Sequence, residues 1–190
     1  MTTTERKPNQ IQLAIHTIDT APEASRPILQ GIASDLGTLP NFAASIASSP
    51  TLLAAFDGMR RAVAAGELDP AARETAGVAV GVAVDNRYGV AFHSTVLGRL
   101  GVEDAEIERM RSAEPPSDAR LAAAYELAWT LAVGRGKVDP EVLSRAQACY
   151  STSEILEIVA EALFASLVGV VDNLAGRVEL DDFLRPRAWS

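Results

Sequence analysis

Residues 73–94 read RETAGVAVGVAVDNRYGVAFHS, and the conformation of this stretch decides the fold class. Its valines stand at every second position from 78 to 84, a spacing that is typical of a buried β-strand. The stretch follows Asp69-Pro70 without a break, however, and an aspartate before a proline is a helix-start signal. No other segment offers a convincing strand to pair with it. We therefore predict a helix, in which tertiary packing overrides the strand propensity of valine.

The rest of the chain contains residues that typically begin and end helices. From Pro22 onward, apolar residues recur at helical spacing as far as Leu36, and Gly37 is placed to end that helix. Gly77 and Gly81, four residues apart, would let a neighbouring helix approach closely. Further helix-start signals occur at Ser49-Pro50, Ser117, Asp139-Pro140 and the capping box Ser151–Glu154. Together these signals predict an all-α helical bundle.

The length of 190 residues and the hydrophobic content of 48% are those of a globular domain. We expect a polar N-terminal arm over residues 1–21 and a single helical domain over residues 22–190. Seventeen basic residues against 25 acidic ones give a net charge of −8. This balance argues against nucleic-acid binding, because contacts to phosphates need clustered Lys and Arg.

The apolar runs also argue against a membrane protein. They are interrupted or shorter than the about 20 residues that span a bilayer. The polar start MTTTERKPNQ lacks the apolar core of a signal peptide. Cys149 is the only cysteine, so the chain forms no intramolecular disulfide and no cysteine-based metal site. We therefore expect a cytoplasmic protein.

Glu74 and His93 are the candidate catalytic residues. They are nineteen residues apart with a turn near residues 85–87 between them, so an antiparallel helix pair would bring them together. Glu74 is otherwise surrounded by small and apolar residues, where an unpaired carboxylate is costly. Histidine titrates near neutral pH, and a carboxylate fixes its tautomer and orientation. The pair is therefore suited to proton transfer.

The alternative is a structural histidine that joins two helices by a hydrogen bond. The other histidine, His16, is expected on the surface of the N-terminal arm, and Trp129 is expected in the core. Glu74, Asp85 and His93 lack a compact metal-ligand spacing, so we predict no metal site.

The same stretch resembles the carboxymuconolactone decarboxylase and alkylhydroperoxidase D-like superfamily. Those proteins carry an Arg-Glu pair, an apolar helix, a Cys-x-x-Cys-x-x-x-His motif and a following glycine. Arg73-Glu74, His93 and Gly101 stand at the matching positions. The segment LPNFAASIASSPTLLAAF (39–56) resembles the peroxidase-related members, and residues 151–176 resemble their last core helix. The resemblance implies an all-helical fold that assembles as a homo-oligomer, a dimer, trimer or hexamer.

The two cysteine positions of that motif hold Asn86 and Gly89, while Tyr88 stands between them. Peroxide reduction in the redox members needs one thiolate to attack and a second thiol to resolve the intermediate. Neither replacement does this, and Cys149 precedes a different helix. The expected site is therefore the acid–base part of the redox site without its sulfur.

Three functions compete. The first is a non-redox enzyme without cofactor, of decarboxylase, lyase or isomerase type, that acts on a small organic acid or carbonyl compound. In it His93 is the general acid or base, Glu74 orients it, and Tyr88 donates a hydrogen bond to an oxyanion. Asn86 and Gly89 would contact the substrate. The second is a small-molecule-binding or scaffold protein that has lost its chemistry, and the third is residual peroxidase activity through Cys149.

Overall fold

The structure is a computed structural model that describes residues 10–189. Within them the regular structure is helical, with two short 3₁₀ turns at Glu23–Ser25 and Arg185–Arg187 and no strand. The α-helices are α1 (Arg26–Leu36), α2 (Asn41–Ile46), α3 (Pro50–Ala64), α4 (Pro70–Ala83), α5 (Arg87–Arg99), α6 (Asp104–Arg111), α7 (Ala119–Gly134), α8 (Pro140–Cys149) and α9 (Thr152–Ala175). The predicted all-α fold is confirmed.

The predicted helix starts are nearly all confirmed. Ser49, Asp69, Asp139 and Ser151 each cap the helix that follows, and Ser151 forms the predicted capping box with Glu154. The prediction for Ser117 is wrong, because the side chain of Asp118 caps α7 by accepting a hydrogen bond from the Leu121 amide. Ser117 lies one residue too early and binds Glu106 instead.

Helix α4 is the valine-rich segment and lies at the centre of the molecule. It packs against α5, α7 and α9, so almost every position from residue 72 to 81 is buried. This all-round burial explains why its valines do not show a helical periodicity. A Cβ added at Gly81 would come 2.9 Å from Cγ2 of Val90 and 3.2 Å from its amide nitrogen. The close helix approach predicted from the glycines is therefore present, and the partner of α4 in it is α5.

In the described residues the core consists of two apolar clusters, and α5 contributes residues to both. The first joins α4 to α6, α7, α8 and the first half of α9, and Trp129 packs against its edge beside Tyr125. The second joins α1, α2 and α3 to the second half of α9 and to Tyr88 and Ala91 of α5. The candidate site lies where α3, α4, α5 and α9 meet.

Residues 1–9 of the predicted polar arm lie outside the described part of the chain. Residues 10–21 run along the second cluster, where Leu13 and Ile18 pack against it. The amide of Ile11 donates to the carbonyl of Leu174, and that of His16 donates to the carbonyl of Ala44. This part of the arm is therefore docked onto α2 and α9. Among the described residues, no helix has the length and apolarity to cross a bilayer.

Candidate active site

Helices α4 and α5 bring Glu74 and His93 into direct contact. Asp85 has a positive φ of 55°, which reverses the chain between the two helices, and Asn86 caps α5. His93 Nδ1 lies 2.8 Å from Glu74 Oε2, and the two residues are 7% and 5% exposed. The imidazole lies over Gly77, where an added Cβ would fall 2.4 Å from the ring. The missing side chain at Gly77 therefore provides the space for His93.

Glu74 receives a second hydrogen bond from its neighbour in sequence. Arg73 Nε donates to Glu74 Oε1 over 3.1 Å, while Oε2 accepts from His93. Burial by itself raises the pKa of the Glu74 carboxyl, but the hydrogen bond and charge of His93, together with Arg73, outweigh it and lower that pKa. Glu74 is therefore an ionised partner for the imidazole at neutral pH.

The opposite nitrogen of His93 faces a second carboxyl group, that of Glu161 on α9. His93 Nε2 lies 3.6 Å from Glu161 Oε1, beyond the usual hydrogen-bond distance. Burial lowers the pKa of His93, but the hydrogen bond and charge of Glu74, and then the charge of Glu161, outweigh burial and raise it. His93 is thus held between two acidic side chains.

Glu161 was not predicted from the sequence, although a signal for it exists. It belongs to the stripe of α9 that also carries the buried Ile158, Ala162 and Ala165, so helical periodicity places a carboxyl group on the buried face. It is 2% exposed, and burial raises its pKa to about 7, with the negative charge of Glu74 adding to the shift and His93 opposing it.

Tyr88 lies in the same site, but its hydroxyl group is already bonded. It donates to Asp181 Oδ2 over 2.5 Å, and Asp181 Oδ1 accepts the amide of Asn41. Burial and then Asp181 raise the pKa of Tyr88. Asp181 was also missed, because it follows the last α-helix in a loop where no periodicity marks it. A hydrogen bond from Tyr88 to a substrate would first have to break the bond to Asp181.

Of the two predicted substrate-binding residues, Gly89 lines the adjoining cavity and Asn86 does not. Asn86 is fully buried, and its Oδ1 accepts the Gly89 amide over 2.9 Å, which caps α5. A Cβ at Gly89 would lie 2.3 Å from Asn86 Nδ2, so the space above Gly89 holds the amide group of Asn86.

A cavity of about 210 Å³ opens onto His93. Most of its wall is apolar and much of it aromatic, and all but one of its charged or titratable residues come from α4, α5 and α9, the exception lying on α3. The aromatic rings are those of Phe42, Phe56, Tyr88, Phe92 and Phe164, and the charged or titratable groups are Arg60, Arg73, Glu74, His93 and Glu161. The arrangement presents proton donors and acceptors to a small, mainly apolar ligand.

Both arginines of the cavity are bound to carboxylates. Arg73 pairs with Glu74, and Arg60 Nη2 lies 2.7 Å from both Asp35 and Asp57. Cys149 is not among the lining residues. Within residues 10–189, no three His, Cys, Asp or Glu side chains gather in a way that could hold a metal ion.

Comparisons with known proteins give one family match for part of the chain and several solved structures with a similar fold. Residues 50–129 match the model of the carboxymuconolactone decarboxylase family. A peroxidase-related protein with an alkylhydroperoxidase AhpD core from Ralstonia eutropha JMP134 superposes with a TM-score of 0.78 at 18% identity, over 94% of this chain and 96% of the other. A peroxidase-related protein from Silicibacter sp. TM1040 gives a TM-score of 0.75 at 17% identity, over 95% of each chain.

A third solved structure is a cysteine-to-alanine variant of the debrominase Bmp8 in complex with 2,3,4-tribromopyrrole. Its TM-score is 0.76 at 18% identity, over 94% of this chain and 96% of the other. No curated protein sequence matches the chain. The family match lies on the segment that supplies α3, α4 and α5, and the superpositions extend the same helical fold over nearly the whole chain. Residues 50–129 are therefore similar to the carboxymuconolactone decarboxylase family, and the chain as a whole shares the helical fold of the alkylhydroperoxidase AhpD core.

Proposed function

We propose that the protein is an enzyme that transfers protons to and from a small carbonyl compound, with His93 as the catalytic acid or base. The contact that carries this proposal is the 2.8 Å hydrogen bond between His93 Nδ1 and Glu74, in a site where the imidazole also lines a cavity. Glu74 fixes the proton on Nδ1, so Nε2 is the nitrogen that exchanges a proton with the ligand. Decarboxylation, lactone opening and isomerisation all depend on such a group.

The cavity favours an uncharged substrate over a small organic acid. Glu74 contributes a negative charge beside His93, and both arginines are already bound to carboxylates. A carboxylate ligand would therefore face acidic groups without a free cation of the lining to bind it. The volume lies below the roughly 300–1,000 Å³ of pockets for drug-sized ligands, which indicates a small compound. In this proposal the ring of Tyr88 forms part of the aromatic wall, and Glu74 is a positioning residue.

The lining also supports a non-redox reaction. Asn86 and Gly89 replace the two cysteines of the redox motif, and the single cysteine of the chain does not line the cavity. The debrominase Bmp8, which shares the fold, is complexed with a small aromatic ring in its cysteine-to-alanine variant. That ligand supports an aromatic or heterocyclic substrate class for the phenylalanine-lined cavity here.

The test is protein-dependent deuterium exchange. Acetophenone, small lactones and 2-oxo acids are incubated in D₂O, and the loss of the proton signal next to the carbonyl group is followed by NMR. We expect exchange with at least one uncharged compound and its loss in His93→Asn. The matched control is His16→Asn, because His16 lies outside the cavity lining and bonds to Ser48 and Thr20. Binding of panel compounds without exchange would instead favour a binding protein.

We also propose that the protein is a homo-oligomer built through the outer face of α9. Leu156, Ala160, Leu163, Leu167, Val170 and Leu174 follow one another at intervals of four and three residues, which is the spacing of a coiled-coil seam. We call these six residues the α9 outer stripe. Four of them are 50–66% exposed, which is unusual for a contiguous row of large apolar side chains.

The spacing also indicates what covers the stripe. An interval of three and four residues fits a second helix with the same pattern. The other exposed large apolar residues of the described chain are scattered over separate elements: Ile11, Ile15, Leu36, Leu100, Val133 and Leu143. The matching stripe is therefore that of α9 in a second copy, related by a two-fold axis.

A further inference from the structure

We propose that Glu161 is a second catalytic residue, which gives a proton to the carbonyl oxygen of the substrate while His93 takes one from the neighbouring carbon. This inference rests on the proposed function and specifies how the two groups share the reaction. It assigns a chemical role to α9, a helix that the sequence motif around His93 does not include.

The geometry places Glu161 as an acid without a partner at the end of the cavity. Among the described residues, its Oε1 has no hydrogen-bond partner, although the residue is 2% exposed. Buried polar atoms are nearly always hydrogen-bonded, so an unsatisfied carboxyl oxygen that lines a cavity is a place where a ligand completes the bonding. A carbonyl oxygen is the complementary acceptor when Glu161 carries a proton.

The distance between Glu161 and His93 supports a shared substrate. Glu161 Oε1 and His93 Nε2 are 3.6 Å apart, too far for a good direct hydrogen bond, and both face the cavity. A carbonyl group and its neighbouring carbon are joined by a single bond, so one ligand can meet both side chains. The oxygen would lie against Glu161 and the carbon against His93.

The environment of Glu161 keeps its carboxyl group protonated up to about pH 7, so that it can act as an acid. From α4 it faces Glu74 and Arg73, and from α5 it faces His93. Burial and the charge of Glu74 raise its pKa to about 7, which His93 and Arg73 only partly oppose. Arg73 bonds Glu74, and no described cation lies within ion-pair distance of Glu161 except His93.

Several charged side chains on the remaining elements packed against α9 have partners other than Glu161. On α3, Arg60 binds Asp35 and Asp57. On α7 and α8, Glu126 and Arg145 bind each other. On α9 itself, Glu157 accepts the amide of Leu68. The proton on Glu161 is therefore controlled from α4 and α5.

The proposed step is balanced. Neutral His93 removes the proton from the carbon next to the carbonyl group, and the electrons of that C–H bond form the C=C bond of an enol. Glu161 transfers its proton to the oxygen as the C=O bond becomes a single bond. The site then holds an imidazolium and a carboxylate. When His93 returns a proton to the carbon, the O–H proton of the enol returns to Glu161, which restores the ketone and both side chains. The step requires no oxidant or reductant, and in D₂O it introduces deuterium.

The test compares Glu161→Gln with Glu157→Gln, a matched change one turn earlier on α9 outside the cavity lining. We expect exchange of acetophenone, or of whichever panel compound wild type exchanges, to fall at least about a hundredfold in Glu161→Gln. In wild type the exchange rate should fall as pH rises through about 7, because Glu161 loses its proton. In Glu161→Gln this fall should be absent. Glu157→Gln should keep both the rate and the pH profile.

A second measurement needs no substrate. In the ligand-free protein with ¹³C-labelled glutamate, one carboxyl resonance should titrate near pH 7 and be missing from Glu161→Gln. Absence of that resonance, or a normal rate and pH profile in Glu161→Gln when His93→Asn is inactive, would overturn the role of Glu161 and leave the proposed function standing. If wild type exchanges none of the panel compounds, both proposals fail together.

Discussion

At the scale of single residues, His93 is the most informative probe of the site. Glu74 contacts one ring nitrogen directly, and Glu161 faces the other across 3.6 Å. Their negative charges outweigh the effect of burial and raise the pKa of His93 above its ordinary value of 6.5. This pair was predicted from spacing and one chain reversal. Glu161 could not be assigned to the site in the same way, because its helix lies nearly seventy residues further along the chain.

The titration of His93 tests this environment. With only two histidines in the chain, NMR should give two imidazole titration curves, which His93→Asn assigns. The curve of His93 should lie above pH 6.5 and move to lower pH in Glu74→Gln. Because the folded-state pKa is raised, the charged contact stabilises the fold fully below about pH 6.5 and is lost as pH rises through that pKa. A His93 curve that ignores Glu74→Gln would contradict the coupling.

At the scale of elements, the site depends on how closely α4 and α5 pack. The sequence predicted the helices and their start signals well, because capping residues act locally. The valine pattern of α4 alone would have suggested a strand, since a helix buried on all sides loses its periodicity. The helix-start signal at Asp69-Pro70 and the lack of a segment to pair with decided for a helix. The space at Gly77 holds the imidazole, which no local rule could have shown.

Substitution at Gly77 should therefore displace His93. In Gly77→Ala the new methyl group would overlap the ring, and overpacking of this kind costs about 1–3 kcal/mol of stability. The coupling of His93 to Glu74 should weaken, so its titration curve should move to lower pH. Gly58→Ala on α3 is the matched control, because nothing lies within 4 Å of the added Cβ, and it should stabilise the protein by about 0.5–1 kcal/mol. Denaturant unfolding of both variants provides the comparison. Equal stability and unchanged titration in Gly77→Ala would refute the tight fit.

At the scale of the whole molecule, α9 connects two surfaces. Its inner face supplies Glu161, Phe164 and Val168 to the cavity, and its outer face carries the α9 outer stripe. The sequence showed this helix and its capping box, but the pattern of apolar residues covers nearly its full circumference. Which side of α9 is buried and which is exposed to solvent depends on how the other helices pack against it. Oligomerisation was therefore expected from the family resemblance and not from α9 itself.

The α9 outer stripe allows the expected oligomerisation to be tested at a single residue. Leu163 is 60% exposed and central in the stripe, so Leu163→Glu should leave the folded chain intact while burying a charge in the proposed interface. Sedimentation velocity should show an oligomer for wild type and a monomer for Leu163→Glu at micromolar concentrations. Val133→Glu on α7 is the matched control, since Val133 is 56% exposed and lies outside the stripe, and it should remain oligomeric. A monomeric wild type, or an oligomer that Leu163→Glu leaves unchanged, would contradict pairing through α9. Loss of the oligomer without loss of exchange activity would show that the cavity is complete within one chain.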